Sequence, residues 1–301
     1  MKELVSDSEY TLSDATDISA ESDTALLPQL FMQGYARVRL DAQTETPLLS
    51  GLHHEATRFF DLSQGAKLSH ALPNLTNGYR PPESVHATDP ENPDTNDSFI
   101  HWGEEQAKEL PGHGKIRPFL QALEAYRAVV ATKIMGRLMT ELCTNYEYEH
   151  DLPFERASLL QVNSFGNPSE RELLQTVHED GTLATVIWTS APGLEGFHDD
   201  RLIPLTPASN EVFVMPGGIL ELMTGGEIGA FYHQARNHGD TTRKSIMYFS
   251  CPDIDRPDIT PFVENSTNKG VSIRDAILHS TDMFGLTENF VVHPSNDAQQ
   301  D

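Results

Sequence analysis

Leu159-Leu160-Gln161-Val162-Asn163-Ser164-Phe165 and Ala184-Thr185-Val186-Ile187-Trp188-Thr189 are short runs rich in residues that favour a pleated surface. Glu211–Met215, Ile219–Met223, Ala230–His233 and Ser245–Ser250 read the same way, with Gly, Pro and Asn between them. Several short strands at this spacing predict a sandwich or barrel.

Upstream of these strands the pattern is helical. Gly34–Leu40 alternates apolar and polar residues and predicts one strand. Pro47–Leu62 then carries Leu48, Leu49, Leu52, Ala56, Phe59 and Phe60 at helical spacing, with Pro47 suited to a first turn. Arg117–Leu142 is the strongest helical pattern, with a stripe from Phe119 to Leu142 that predicts packing on a sheet. Residues 73–98 are rich in Pro, Asn and Asp and predict a long loop of the kind that forms lids and substrate walls. Ile273–Ser280 predicts a last helix, and Asn296–Asp301 a frayed tail.

Helices first and strands second predict an α+β fold, with helices padding a two-sheet core rather than a βαβ nucleotide fold. Gly217-Gly218 and Gly225-Gly226 read as turns; no Gly-Lys-Ser/Thr follows them, as a phosphate loop would require. Residues 1–25 are Ser-, Thr- and acid-rich and read as a disordered or loosely attached arm. One domain is expected over 26–301: a helix-rich part over about 26–155, a β core over about 156–255 and an extension over about 256–301.

The chain has 301 residues, with 21 Lys and Arg against 45 Asp and Glu, a net charge of −24. That excess argues against nucleic-acid or anionic-membrane partners, which need clustered cations. Cys143 and Cys251 cannot make a disulfide framework, which fits a reducing cytoplasm. No apolar run is long enough for a transmembrane helix, and the N-terminus lacks the pattern of a secretory signal.

The chemistry is concentrated in His178-Glu179-Asp180, His233 and Arg243-Lys244-Ser245. On a strand, residues two apart share a face, so His178 and Asp180 can reach one ion. His233, on another predicted strand, would close the triangle. Two imidazoles and a carboxylate suit Fe(II) and leave positions open, and zinc tolerates the same set. The bland reading of such a triad is chance, since the chain has 13 histidines. The residues after His233 are less ordinary. Arg243 and Ser245 alternate on the next predicted strand, and a guanidinium with a hydroxyl makes a carboxylate clamp. His53, His54, His113, His198 and His238 lack suitably spaced partners.

In these residues the chain resembles the isopenicillin N synthase-like group of 2-oxoglutarate/Fe(II) oxygenases. Supporting segments occur in the expected order: Phe59-Phe60-Asp61-Leu62-Ser63 with Lys67-Leu68, Asn77-Gly78-Tyr79, Val162–Pro168, and Pro216–Gly226 before the second histidine. The resemblance implies a double-stranded β-helix, or jelly roll, with iron between the sheets. It implies that His178, Asp180 and His233 ligate iron, with no catalytic residue beyond these ligands. Arg243 and Ser245 would hold the distal carboxylate of 2-oxoglutarate, and Asn163 its other end. It further implies O2 as co-substrate and hydroxylation of a small molecule in natural-product or specialised metabolism, with desaturation, epoxidation or ring closure as variants. Phe165 departs from the tyrosine common in the group, which removes one hydroxyl from the co-substrate's surroundings. Asp180 argues against a halogenase, which vacates that position.

Tyr79, Arg80, Phe99, His101, Trp102, Trp188 and Phe231 are the expected substrate-side residues; plain core packing is the competing reading for the aromatic ones. Arg80, turned inward, would favour a substrate carrying a carboxylate or phosphate. The protein is expected to act as a monomer or weak homodimer. Three other functions compete. A 2-oxoglutarate-independent oxidase or cyclase would use the clamp for a substrate carboxylate. A non-catalytic metal-containing β-sandwich would have no need of a clamp. A zinc hydrolase would need a base beside the metal, and Glu179 points to the opposite face if its segment is extended.

Overall fold

The computed structural model describes residues 25–84, 94–150, 152–166, 170–198, 201–253 and 259–283. The expected N-terminal arm up to residue 24, the Asn167-Pro168 pair and the tail Asn296–Asp301 lie outside the described residues.

The N-terminal part holds the strand expected within Gly34–Leu40 and the helix expected within Pro47–Leu62, together with elements the sequence did not predict. Helix α1 (Leu26–Gln33) stops where Gly34 takes a φ of 77° and its N–H returns to the Leu30 carbonyl. Strand β1 (Ala36–Arg39) comes next, then α2 (Thr46–Phe60), which opens on Pro47 and buries Leu49, Leu52, Ala56, Phe59 and Phe60. Short helix α3 (Gln64–Leu68) leads to strands β2 (Gly78–Arg80) and β3 (Asp97–His101), so the expected loop over 73–98 contains one strand and the start of another. Helix α4 (Glu104–Ala107) comes after β3.

The long helix expected over 117–142 is two helices, α5 (Arg117–Tyr126) and α6 (Thr132–Asn145), joined by a π-helical turn at Arg127–Ala131. The Thr132 hydroxyl donates to the Arg127 carbonyl within that turn. The extra residue keeps the apolar stripe in phase: Phe119, Leu123 and Tyr126 are buried before it, Ile134, Leu138 and Leu142 after it. The stripe meets both α2 and the sheet. Phe119 stacks on Phe59 at 5.0 Å between ring centroids and meets Phe99 of β3 edge-on at 4.9 Å. Such aromatic pairs add about 0.5–1.5 kcal/mol each to simple burial.

The second half supplies β4 (Leu159–Ser164), β5 (Leu173–His178), β6 (Ala184–Thr189), β7 (Leu194–His198), β8 (Arg201–Pro204), β9 (Glu211–Pro216), helix α7 (Gly218–Met223), β10 (His233–Arg236), β11 (Lys244–Ser250) and α8 (Ile273–Met283). Two antiparallel sheets result. One is seven-stranded, in the order β1-β9-β6-β11-β4-β3-β2; the other is four-stranded, β5-β10-β7-β8. This is the jelly-roll, α+β architecture that the sequence predicts.

Two expected strands are corrected. Ile219–Met223 is helix α7, because periodicity in so short an apolar run does not separate helix from strand. Ala230–His233 becomes strand only at His233.

Strand alternation divides the core. Val186, Trp188, Val214, Ile246 and Tyr248 join the helices in one cluster. Ile187, Phe213, Met215, Phe231 and Met247 form a second cluster, fed by Leu194 and Leu205 from the β7–β8 side, that fills the space between the sheets. The second face carries the candidate site.

Candidate metal and carboxylate site

His178 is the last residue of β5, and His233, the first of β10, is its partner in register. Their rings are 4.4 Å apart between centroids. Asp180 lies beyond the strand end, so the turn after β5, rather than strand alternation, brings its carboxylate round. Its Oδ1 is 4.0 Å from Nε2 of each histidine. One ligand atom from each of the three lies within 4.8 Å of the others, and all three side chains are buried. One ion can bridge such a gap.

The imidazoles are prepared for metal. Nδ1 of His178 is 2.6 Å from the Thr176 carbonyl, and Nδ1 of His233 is 3.2 Å from the Phe231 carbonyl. A carbonyl only accepts, so each Nδ1 carries the proton and each Nε2 lone pair faces Asp180. Burial, and then the neighbouring His178, push the His233 pKa down to about 4. Neutral imidazole is the ligating form.

Arg243 lies one residue before β11, and its carbonyl accepts from the Phe165 N–H, which continues the ladder with β4. The guanidinium stacks on Phe165, its carbon 4.4 Å from the ring centroid. Its Nε and Nη1 are buried with no acceptor. Burial pulls its pKa down to about 10, with Asp240 opposing. A buried cation with unmet donors fits an anion, and a planar fork fits a carboxylate. Phe165 packs in turn on Leu174 and Ala235, which belong to the two strands that carry His178 and His233. Ser245 shares a face with Met247 of the inter-sheet cluster and pairs in register with Asn163 and Thr189. The donor set, the fixed tautomers and the unmet guanidinium together fit a divalent metal with a carboxylate co-ligand.

The same register extends to Arg80. Thr189, Ser245, Asn163, Ser98 and Arg80 form one buried polar row across five strands. Arg80 therefore faces between the sheets, and its Nε donates to the Leu75 carbonyl at 2.5 Å. Burial lowers its pKa to about 10. Phe231 also faces the interior, packed on Tyr35 and over Gly196, where an added Cβ would stand 2.3 Å from its ring.

Five other substrate-side expectations are corrected, because strand parity and local bonds turn the side chains toward the helices. Tyr79 donates to Asp97 at 2.5 Å. Phe99 joins Phe59 and Phe119. His101 bonds Glu124 at 2.8 Å. The Trp102 indole donates to the Thr76 carbonyl. Trp188 meets His53 of α2, with ring centroids 5.3 Å apart.

Glu179, in the same turn as Asp180, reaches the start of α7. Its carboxylate accepts from the Gly218 N–H at 2.8 Å, and burial raises its pKa. This contact was not legible in the sequence; its only trace is the Gly217-Gly218 pair.

Fold and site together define a jelly roll with a His/Asp/His cluster and a buried arginine beside it. Residues 156–252 match the model of the 2OG-Fe(II) oxygenase superfamily. The chain is similar to oxoglutarate-dependent flavonoid 7-O-demethylase 1 of Ocimum basilicum, at 29% identity over 46% of this chain and 39% of that protein. It is also similar to gibberellin 20 oxidase 4 of Arabidopsis thaliana, at 26% identity over 42% of this chain and 35% of the relative. The chain thus spans less than half the length of these relatives. Among solved structures, the dioxygenase for auxin oxidation 1 of Arabidopsis thaliana, in complex with 2-oxoglutarate, shares the fold. Its TM-score is 0.58 at 19% identity, over 78% of this chain and 90% of that one. Among the described residues, no helix is long and apolar enough to cross a membrane.

Proposed function

We propose that this protein is a 2-oxoglutarate- and Fe(II)-dependent oxygenase of a small molecule. The observation that carries the reading is the buried guanidinium of Arg243, its Nε and Nη1 without acceptors, stacked on Phe165, which packs on the two strands that carry His178 and His233. The three ligands would hold Fe(II). Arg243 and Ser245 would take one carboxylate of 2-oxoglutarate, and Asn163 the other end. Bound together with O2, these groups supply oxidative decarboxylation of 2-oxoglutarate to succinate and CO2, with the second oxygen atom inserted into a substrate C–H bond.

The chain's own residues do the positioning. The Thr176 and Phe231 carbonyls hold the imidazole tautomers. The inter-sheet cluster keeps one side of the site dry. Arg80, on the interior row, favours a substrate bearing a carboxylate or phosphate, with Phe231 as an apolar wall. Residues 26–301 act as one oxygenase domain. The relatives' flavonoid and gibberellin names support a small-molecule substrate, and the cysteine-poor composition supports a cytoplasmic setting.

The test is succinate formation by the purified chain with Fe(II), ascorbate and 2-oxoglutarate. Slow turnover without added substrate is expected, and His178→Ala abolishes it. Turnover of a substrate with no requirement for 2-oxoglutarate would transfer the clamp to a substrate carboxylate, as in the oxidase reading.

A further inference from the structure

The turn that carries Asp180 is bonded to the start of α7. The Gly218 N–H is shared between the Glu179 carboxylate at 2.8 Å and the Asp180 carbonyl at 3.0 Å. The Gly217 N–H donates to Leu183, and the Ile219 N–H to Thr182. Gly217 is required by this approach, and Gly218 leaves the Glu179 carboxylate its place. A Cβ on Gly217 would stand 2.3 Å from the Asp180 and Thr182 carbonyl oxygens, and one on Gly218 would stand 3.0 Å from the Glu179 carboxylate.

The same helix also holds the other ligand segment. Glu221, one turn on, accepts from the Ala230 N–H at 2.8 Å. The Pro216 carbonyl accepts from the Phe231 N–H. Phe231 in turn offers its carbonyl to Nδ1 of His233. One six-residue helix therefore bridges the Asp180 turn and the approach to His233, through a carboxylate at each end.

We infer that Glu179 and Glu221 are positioning residues that set the distance between Asp180 and His233 by tying both ligand segments to α7. Neither carboxylate is a ligand: Glu179 faces α7, and Glu221 faces the chain before β10. Their effect passes through the backbone. The inference rests on the proposal that His178, Asp180 and His233 hold a metal. Partners bonded directly to ligand side chains, such as the Phe231 carbonyl on His233, change metal affinity by about 10–100-fold, and the ties to α7 act by placing them.

The test titrates the full-length apoprotein with Co(II), followed by visible absorption, and with Mn(II), followed by its free-ion EPR signal. Wild type binds and His178→Ala does not. Glu179→Ala weakens both metals by about 10–100-fold and alters the cobalt ligand-field bands. Glu179→Gln, whose amide oxygen still accepts from Gly218, stays within a few-fold of wild type. Glu221→Ala tests the other end independently and serves if Glu179→Ala fails to fold. A helix that is merely structural would lower thermal stability in these variants and leave the dissociation constants and cobalt bands unchanged, and that result overturns the inference. Equal weakening by Glu179→Gln and Glu179→Ala overturns the hydrogen-bond mechanism. Binding by His178→Ala as tight as wild type removes the metal reading itself, and the inference with it.

Discussion

The guanidinium carbon of Arg243 lies 4.4 Å from the centroid of the Phe165 ring. The aromatic face steadies a cation that burial disfavours, without using any of its five donors. Nε and Nη1 thus remain without an acceptor, open to a carboxylate.

Replacing Arg243 by Gln should raise the 2-oxoglutarate dissociation constant by about 10–100-fold, the worth of a charge-assisted hydrogen bond at roughly 1.5–3 kcal/mol. Arg243→Lys should recover part of this, since a lysine keeps the charge and loses the fork. Isothermal titration with the metal-loaded protein measures both. An unchanged constant would show that the carboxylate binds elsewhere.

Two glycine substitutions should act in opposite directions. Gly51 is exposed in α2, and an added Cβ there meets nothing within 4 Å, so Gly51→Ala should stabilise the fold by about 0.5–1 kcal/mol. Gly217→Ala drives a methyl into two carbonyls of the Asp180 turn and should cost roughly 1–3 kcal/mol, with loss of metal affinity. Urea unfolding with and without Co(II) separates the two effects; a Gly217→Ala protein with wild-type metal affinity would contradict the packing described.

Acid sensitivity should trace partly to His101 and Glu124. Burial lowers the His101 pKa, while the hydrogen bond from His101 is the first cause that lowers that of Glu124. Both folded values lie below the unfolded ones, so in each case the unfolded chain takes up the proton first. Stability should fall as pH drops below about 6.5 for the histidine, and again below about 4.3 for the glutamate. His101→Gln should remove the first limb of the urea-midpoint profile against pH. A variant profile superimposable on wild type would place the sensitivity elsewhere.

The centre of the major sheet was legible because β4, β6, β9 and β11 are almost wholly buried and read as apolar runs, β6 spanning Ala184–Thr189, the residues its sequence marks; β2 and the start of β3 lay inside the expected loop. The minor sheet was mostly hidden. β8 is largely exposed and β5 is mixed, so neither rises above its surroundings. The ligand cluster and the clamp could be read because their chemistry needs particular residue types. Which of the aromatic and basic candidates face the interior could not, since that depends on a parity only the register fixes: Arg80 and Tyr79 are neighbours with opposite fates. The tie from Glu179 to Gly218 links segments 39 residues apart, and no local pattern encodes it.

The π-helical turn at Arg127–Ala131 also sets a rule for length. Removing one residue there would give a continuous helix with better internal bonding, yet it would swing everything beyond it by about 100°. Ile134, Leu138 and Leu142 would then aim at solvent. At this point the chain cannot be shortened without losing the roof over the larger sheet.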